Sequence, residues 1–279
     1  MAHSEFPVMK FADWRPTHDT LHHYARVLGR VRRALTPYQR HWSHITLRVA
    51  ADGLTTTDIP IPDGGGSTFE MLLHLREHRL VIQTGGQEWW DMPFRGQTAA
   101  ELGDAALSAL ADLGVRVTME RSQWANDEPG VYDRAAVETY FQALSSIDEV
   151  FKQFKAELPG ETGPVQIWPH GFDLAMLWFS GRQVPGADPA DEEQADEQMN
   201  FGFSPGGYGG IPDAYFYVTA YPWPDGLLEA ALPAGAYWHT AGWRGAVLPY
   251  EESVTAEKPA AELLGFLQVA HAAGARYMK

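Results

Sequence analysis

Histidine is the residue type that most plainly offers chemistry in this sequence, because the chain has 11 histidines and no cysteine. His44, His170 and His239 each fall on a different predicted strand, and Asp173 follows His170 closely. An imidazole beside a carboxylate can transfer protons, and two histidines with a carboxylate can hold a divalent metal. We therefore take His170 and Asp173 as candidate catalytic residues. No spacing identifies a particular metal or cofactor, so both stay unknown.

His170 also has a structural interpretation, which the pattern favours over a metal site. On a continuous strand over residues 165–179, it would share a face with large apolar side chains, namely Trp168, Phe172, Leu174, Met176 and Trp178. A neutral imidazole in such a setting is expected to be a core histidine that hydrogen-bonds among aromatic rings.

A second group of candidates is aromatic. In the predicted strand from Tyr215 to Tyr221, alternation places these two rings and Tyr217 on one face, with Phe216 on the opposite, core face. Phenol rings suit a ligand pocket or a protein interface, and an ordinary half-exposed sheet face fits the pattern equally well. The candidate ligand-binding residues are Trp168, Tyr217, Tyr221, His239 and His44.

Three functions follow from these candidates. The first is a small-molecule-binding protein with an aromatic, histidine-lined pocket between two halves of the chain. The second is an enzyme that uses His170 and Asp173 for acid–base or metal-assisted chemistry, and the third is an interaction module that docks through its aromatic sheet face. The 10 Trp, 11 Tyr and 13 Phe exceed what the predicted core needs, which favours the first.

The charge of the chain argues against a nucleic-acid partner. Lys and Arg total 21 and Asp and Glu total 36, so the formal net charge is −15, whereas phosphate contacts need clustered cations. Arg26, Arg30 and Arg33 follow i, i+4, i+7 spacing and form one polar stripe on a predicted helix. We expect this stripe to be a solvated helix face rather than an anion site.

The hydrophobic periodicity predicts helices at residues 19–35, 99–113, 132–158 and 260–273, with strands between them and a hairpin over 69–83. Gly29 inside the first helix costs about 1 kcal/mol relative to alanine, so packing has to hold that turn. The fold class is therefore α+β, mainly antiparallel sheet with flanking helices.

Short repeated motifs suggest an internal duplication of a helix–sheet–helix half. Trp42-Ser43-His44 and Trp168-Pro169-His170 each begin the first predicted strand after a helix. We expect one compact unit over residues 1–279 with halves at 17–119 and 132–279. The acidic residues at 183–200 predict a mobile excursion.

The sequence also favours a cytoplasmic protein without a membrane partner. Its apolar runs are too short to span a bilayer. The first residues lack the basic and apolar regions of a signal peptide. The oligomeric state stays open.

Eight stretches carry a resemblance to a known family, namely Ala34-Leu35-Thr36-Pro37, Trp42 to Leu47, Gly53 to Thr56, His78 to Ile82, Pro164 to Ala175, Phe179 to Arg182, Tyr215 to Pro222 and Leu248 to Glu251. Together they resemble an uncharacterised bacterial family catalogued only as a domain of unknown function. The resemblance covers nearly the whole chain and implies one continuous unit. It implies no activity, cofactor or catalytic residue.

Overall fold

The structure is a computed structural model that describes residues 6–62, 64–191 and 193–278. Residues 1–5, on which the expectation about a signal peptide depends, lie outside these ranges. The chain divides into two compact units. The amino-terminal unit comprises Trp14–Phe141 and Gln166–Phe172, and the carboxy-terminal unit comprises residues 6–13, 142–165 and 173–278.

The helices agree closely with the periodicity of the sequence. They are α1 (Phe11–Leu35), α2 (Ala99–Asp112), α3 (Arg134–Glu157), α4 (Tyr250–Thr255) and α5 (Pro259–Ala275). Helix α1 begins earlier than predicted, because Phe11 and Trp14 are both buried and extend its apolar face. Within the described ranges, no helix is long and apolar enough to cross a membrane.

The sheet of the amino-terminal unit is antiparallel. Its strands are β1 (Arg48–Ala50), β2 (Gly53–Thr55), β3 (Ile59–Pro60), β4 (Thr68–His74), β5 (Arg79–Thr84) and β6 (Gln87–Pro93). The order is β1-β2-β4-β5-β6, and β3 pairs with β4. Strand β4 alternates strictly, with Phe69, Met71 and Leu73 buried, which confirms the predicted hairpin.

A short strand far along the chain completes this unit. Strand β7 (Gln166–Trp168) joins it through a bridge in which Leu47 and Ile167 exchange two backbone hydrogen bonds of 2.9 Å. The Thr46 hydroxyl oxygen also lies 2.8 Å from Oε1 of Gln166. These contacts hold the strand that leads into the Trp-Pro-His motif against Thr46 and Leu47.

The carboxy-terminal unit contains a second antiparallel sheet. Its strands are β8 (Asp173–Gln183), β9 (Asp196–Ser204), β10 (Tyr215–Tyr221), β11 (Tyr237–His239) and β12 (Gly245–Pro249). Their order is β11-β12-β10-β9-β8. Phe201 and Phe216 are buried, and Phe154 of α3 packs on Phe201. Two antiparallel sheets with helices confirm the α+β class.

The predicted duplication is not confirmed. Trp42 lies in a 3-10 helix over Arg40–Ile45, whereas Trp168 lies on β7, so the two motifs do not start equivalent strands. The two compact units also divide the chain at other places than the halves 17–119 and 132–279.

The acidic segment predicted at 183–200 connects β8 to β9. Its last residues belong to β9, where Gln198 is paired with both Phe179 and Tyr221. Glu197 accepts a hydrogen bond from Ser180 at 2.6 Å. Glu192 lies outside the described residues. The mobility of the segment stays a prediction.

Candidate functional site

The candidate residues from the sequence are divided between the two units. The amino-terminal unit contains His44, Trp168 and His170. The carboxy-terminal unit contains Asp173, Tyr217, Tyr221 and His239. Each group forms its own set of contacts.

His170 lies in a tight turn and not on a strand. The carbonyl of Trp168 accepts backbone hydrogen bonds from Gly171 at 3.2 Å and Phe172 at 2.8 Å, and the φ of Phe172 is +57°. Pro169 and Gly171 end the strand, so the face alternation expected over residues 165–179 is broken. His170 is exposed. The interpretation as a core histidine is therefore wrong.

A second histidine holds this turn against α1. Nε2 of His22 lies 3.1 Å from the carbonyl oxygens of both Pro169 and His170. The His22 ring also stacks on Phe172, with 5.5 Å between centroids. Burial, followed by the nearby charge of His18, lowers the pKa of His22 to about 4. The ring is thus neutral at pH 7, and Nε2 carries the proton that both carbonyls accept.

Gly29 lets the turn approach the helix closely. A Cβ at this position would lie 2.6 Å from Cγ of Pro169 and 3.3 Å from the carbonyl oxygen of Ile45. Only a residue without a side chain fits there, which is the packing reason for a glycine inside α1.

The arginine stripe of α1 lies beside the same turn at Pro169 and His170. Arg26 and Arg30 are half-buried, and both contact Gln123, which lies in a short 3-10 helix over Arg121–Gln123. Nη1 of Arg30 donates to Oε1 of Gln123 at 3.0 Å, and Nη2 of Arg26 donates to its backbone carbonyl at 3.4 Å. Gln123 therefore fixes two of the three guanidinium groups.

No acidic partner compensates these arginines within the described part of the chain. None of the ion pairs there includes Arg26, Arg30 or Arg33. Burial lowers the pKa of Arg30, and the neighbouring charges of Arg33 and Arg26 lower it further. The three cations repel one another, so a bound anion would relieve a real electrostatic cost.

These groups line a pocket of about 370 Å³. Its lining residues are Arg26, Gly29, Arg30, Arg33, Ile45, Pro169 and His170. Among the described residues, neither ring nitrogen of His170 has a hydrogen-bond partner. The volume lies in the range of small-molecule sites, and the polar groups that converge on it are cationic or neutral donors.

His44 lies beside this pocket, in a setting that the sequence did not predict. It belongs to the 3-10 helix and not to a strand, because His41 and Trp42 have φ values of +54° and +59°. Its ring is buried and packs on Tyr38 and Trp42, with centroid distances of 4.9 and 5.6 Å. Left-handed backbone costs a non-glycine residue about 1–3 kcal/mol, and such strain tends to occur at functional sites.

Asp173 of the carboxy-terminal unit has a phenol as its partner. The hydroxyl of Tyr217 donates to Oδ2 of Asp173 at 2.5 Å, and Asp173 is only 8% exposed. Burial, followed by the charge of Asp173, raises the pKa of Tyr217 well above its ordinary value. Tyr217 is thus a neutral donor at physiological pH, which stabilises the buried carboxylate.

His239 and the tyrosines of β10 are joined by a residue that the sequence analysis missed, Trp243. The His239 ring packs on Trp243 at 4.5 Å, and Tyr215 and Tyr217 contact it at 6.3 Å. Nε2 of His239 lies 2.9 Å from the carbonyl oxygen of Ala241. Tyr221 is half-buried at the end of β10. The Ala241 carbonyl thus accepts from one ring nitrogen of His239, within the same loop.

The part of the chain that the structure describes contains no candidate metal site. No group of three or more His, Asp or Glu side chains there is arranged to hold a metal ion. The donors that do converge, around α1, are arginines, which bind anions.

Comparisons with known proteins identify a family and no individual relative. No curated protein and no solved structure matches the chain significantly. The family model described as "Family of unknown function (DUF5996)" matches residues 6–279, which include every candidate residue above. The chain therefore belongs to this family of unknown function.

Proposed function

We propose that the amino-terminal unit binds a small ligand carrying a phosphate or carboxylate group in the pocket beside α1. One observation carries the proposal. In a chain with 36 acidic residues, three guanidinium groups line one pocket and no described carboxylate pairs with them. A stripe of arginines that served only to solvate a helix would be expected to attract some of these carboxylates.

The chemistry of the pocket suits an anion in detail. A guanidinium presents a planar fork of donors that matches the oxygens of carboxylate or phosphate. Arg26 and Arg30 are already oriented by Gln123, so little side-chain entropy is lost on binding. His170 adds an imidazole on a turn that His22 holds in place.

This proposal narrows the small-molecule-binding function expected from the sequence. His170 belongs to the pocket, and His44 and Trp168 lie next to residues that line it. A cytoplasmic location is part of the proposal, since phosphorylated metabolites are abundant there. Acid–base catalysis by His170 and Asp173, docking through the face of β10 and the lack of a nucleic-acid partner stay predictions.

Isothermal titration with inorganic pyrophosphate and with citrate tests the proposal. We expect the wild-type protein to bind at least one of them, and Arg30→Gln to weaken that binding by about tenfold, the loss of one charge-assisted contact. Arg15→Gln is the matched control, because Arg15 lies on the same helix, outside the pocket, with a side chain that is 68% exposed.

Two results would overturn the proposal. One is a wild-type protein that binds neither probe. The other is an equal loss of affinity in Arg30→Gln and Arg15→Gln, which would show that only the overall charge matters.

A further inference from the structure

We propose that the ligand of this pocket also carries a planar ring, which stacks on the aromatic cluster of Tyr38, Trp42 and His44. The ligand class is then a nucleotide, in which a heterocyclic base is joined to a phosphoryl group. This inference rests on the proposed function and adds the second half of the ligand to it.

The aromatic cluster begins where the pocket ends. Arg33 lines the pocket, and its guanidinium carbon also lies 5.0 Å from the centroid of the Trp42 ring. Tyr38 packs edge-on against Trp42 at 5.6 Å. A single arginine thus joins the cationic surface to the aromatic one, so a ligand bound to the first reaches the second.

The backbone that holds these rings is strained and locally fixed. His41 and Trp42 are consecutive residues with left-handed φ values, and residues other than glycine rarely adopt such values. The segment is fastened by a bond of 2.9 Å from the Thr46 hydroxyl to the carbonyl of Ser43, and by burial of His44. The fold therefore maintains an unfavourable conformation where it presents aromatic rings.

One ring of the cluster, that of Tyr38, is also open to solvent. Tyr38 is 54% exposed, although its ring contacts both Trp42 and His44. An exposed tyrosine on top of packed rings offers a platform for a base, because every base has a π-face and stacking tolerates different bases.

The two ends of the arginine stripe differ in what fixes them. Gln123 orients Arg26 and Arg30, whereas Arg33 lies over Trp42. From Arg26 to Arg33 the helix rises by roughly 10 Å. The arrangement therefore suits phosphate at Arg26 and Arg30 and a ring beyond Arg33.

Isothermal titration of the full-length protein with ADP, UDP and pyrophosphate tests the inference. We expect at least one of the two nucleotides to bind about tenfold more tightly than pyrophosphate. Tyr38→Leu should remove this advantage and leave pyrophosphate affinity unchanged, while Tyr38→Phe, which keeps the ring, should retain it. Tyr277→Leu is the control, because Tyr277 is 46% exposed and belongs to the other unit.

The outcomes separate this inference from the proposed function. If pyrophosphate binds and neither nucleotide binds more tightly, the inference that the ligand carries a planar ring is wrong, and the proposed anion site is retained. If Tyr38→Leu is folded, as judged by circular dichroism, and still binds a nucleotide more tightly than pyrophosphate, the assignment of Tyr38 as the stacking surface is wrong. If wild-type protein binds neither pyrophosphate nor citrate, the proposed function itself fails.

Discussion

His22 fixes the position of the exposed residue His170, although His22 itself does not line the pocket. Its single proton is shared between the carbonyls of Pro169 and His170, and its ring rests on Phe172. A charged imidazolium would be poorly solvated there, which is why the neutral form is favoured. The position of the pocket wall therefore depends on the protonation state of a residue behind it.

This dependence gives an expected effect of pH on stability. The pKa of His22 is about 4 in the folded protein and near 6.5 in the unfolded chain. Between these values the unfolded state binds the extra proton, so the stabilisation by neutral His22 is complete above about pH 6.5 and is lost towards about pH 4. We expect His22→Gln to reduce the pH slope by up to one proton, about 1.4 kcal/mol per pH unit.

Urea unfolding of both proteins from pH 8 to pH 4.5 measures this difference. Above about pH 7.5, where His22 is neutral in both the folded and the unfolded state, the two stability curves should be parallel. Parallel curves across the whole range would show that His22 does not titrate with unfolding.

At the level of elements, α1 uses both of its faces. Its apolar side is buried through Leu21, Val27, Leu28 and Val31, and its polar side lines the pocket. Gly29 lies between the two faces and admits the turn at Pro169. The helix thus gives up local helical stability for a close contact.

Two identical substitutions in two helices test this reading of α1. Gly29→Ala should lower stability by about 1–2 kcal/mol, because overpacking against the rigid Pro169 ring exceeds the gain in helix propensity. Gly265→Ala in α5, where nothing lies within 4 Å of the added methyl, should raise stability by about 0.5–1 kcal/mol. Thermal or urea unfolding measures both changes. A stabilised Gly29→Ala protein would show that the turn moves away freely.

Periodicity predicted the elements and failed where single residues leave regular backbone. The helices and the hairpin of β4 and β5 follow from apolar spacing that many residues share. The turn at His170 and the 3-10 helix at His44 depend on left-handed Phe172, His41 and Trp42, for which local sequence gives no signal. The distant residue His22 holds the turn at His170, whereas the segment of His41 and Trp42 is fixed by a bond between Thr46 and Ser43 and by the burial of His44. Neither contact leaves a periodic apolar pattern in the sequence.

The arginine stripe also shows a limit of prediction from residue spacing. Its spacing on α1 was correct, and its interpretation as a solvated face did not include the pocket. What turns the stripe towards a pocket is the turn at Pro169 and the side chain of Gln123, both distant in sequence. Spacing shows which residues share a face, and only the fold shows what covers that face.

For the whole molecule, the distribution of charge matters more than its sum. The chain has a net charge of −15, yet Arg26, Arg30 and Arg33 line one pocket without a carboxylate partner among the described residues. The overall negative charge repels anions at long range, whereas the proposed function requires the pocket to attract them at short range. The proposed site therefore works against the field of the rest of the protein.

Salt should change the stability of the fold and the affinity of the pocket for anions in opposite directions. Raising NaCl from about 0.01 M to about 0.15 M shortens the Debye length from about 30 Å to about 8 Å. We expect the melting temperature to rise as self-repulsion is screened, and the affinity for pyrophosphate to fall as the attraction of the arginines is screened. Scanning calorimetry and titration at both salt concentrations measure the two effects. A fall in melting temperature would show that attractive charge pairs dominate the fold.

The bond between His22 and the turn at Pro169 also has a consequence for the order in which the molecule is made. The two residues lie 147 positions apart, and closing so long a loop costs entropy that only later contacts repay. The ribosome has to synthesise the chain past His170 before this turn can meet α1. Shorter nascent chains hold the arginines without the wall that completes their pocket. Capture of the proposed ligand would thus be separated in time from the first stages of folding and would begin only late in translation.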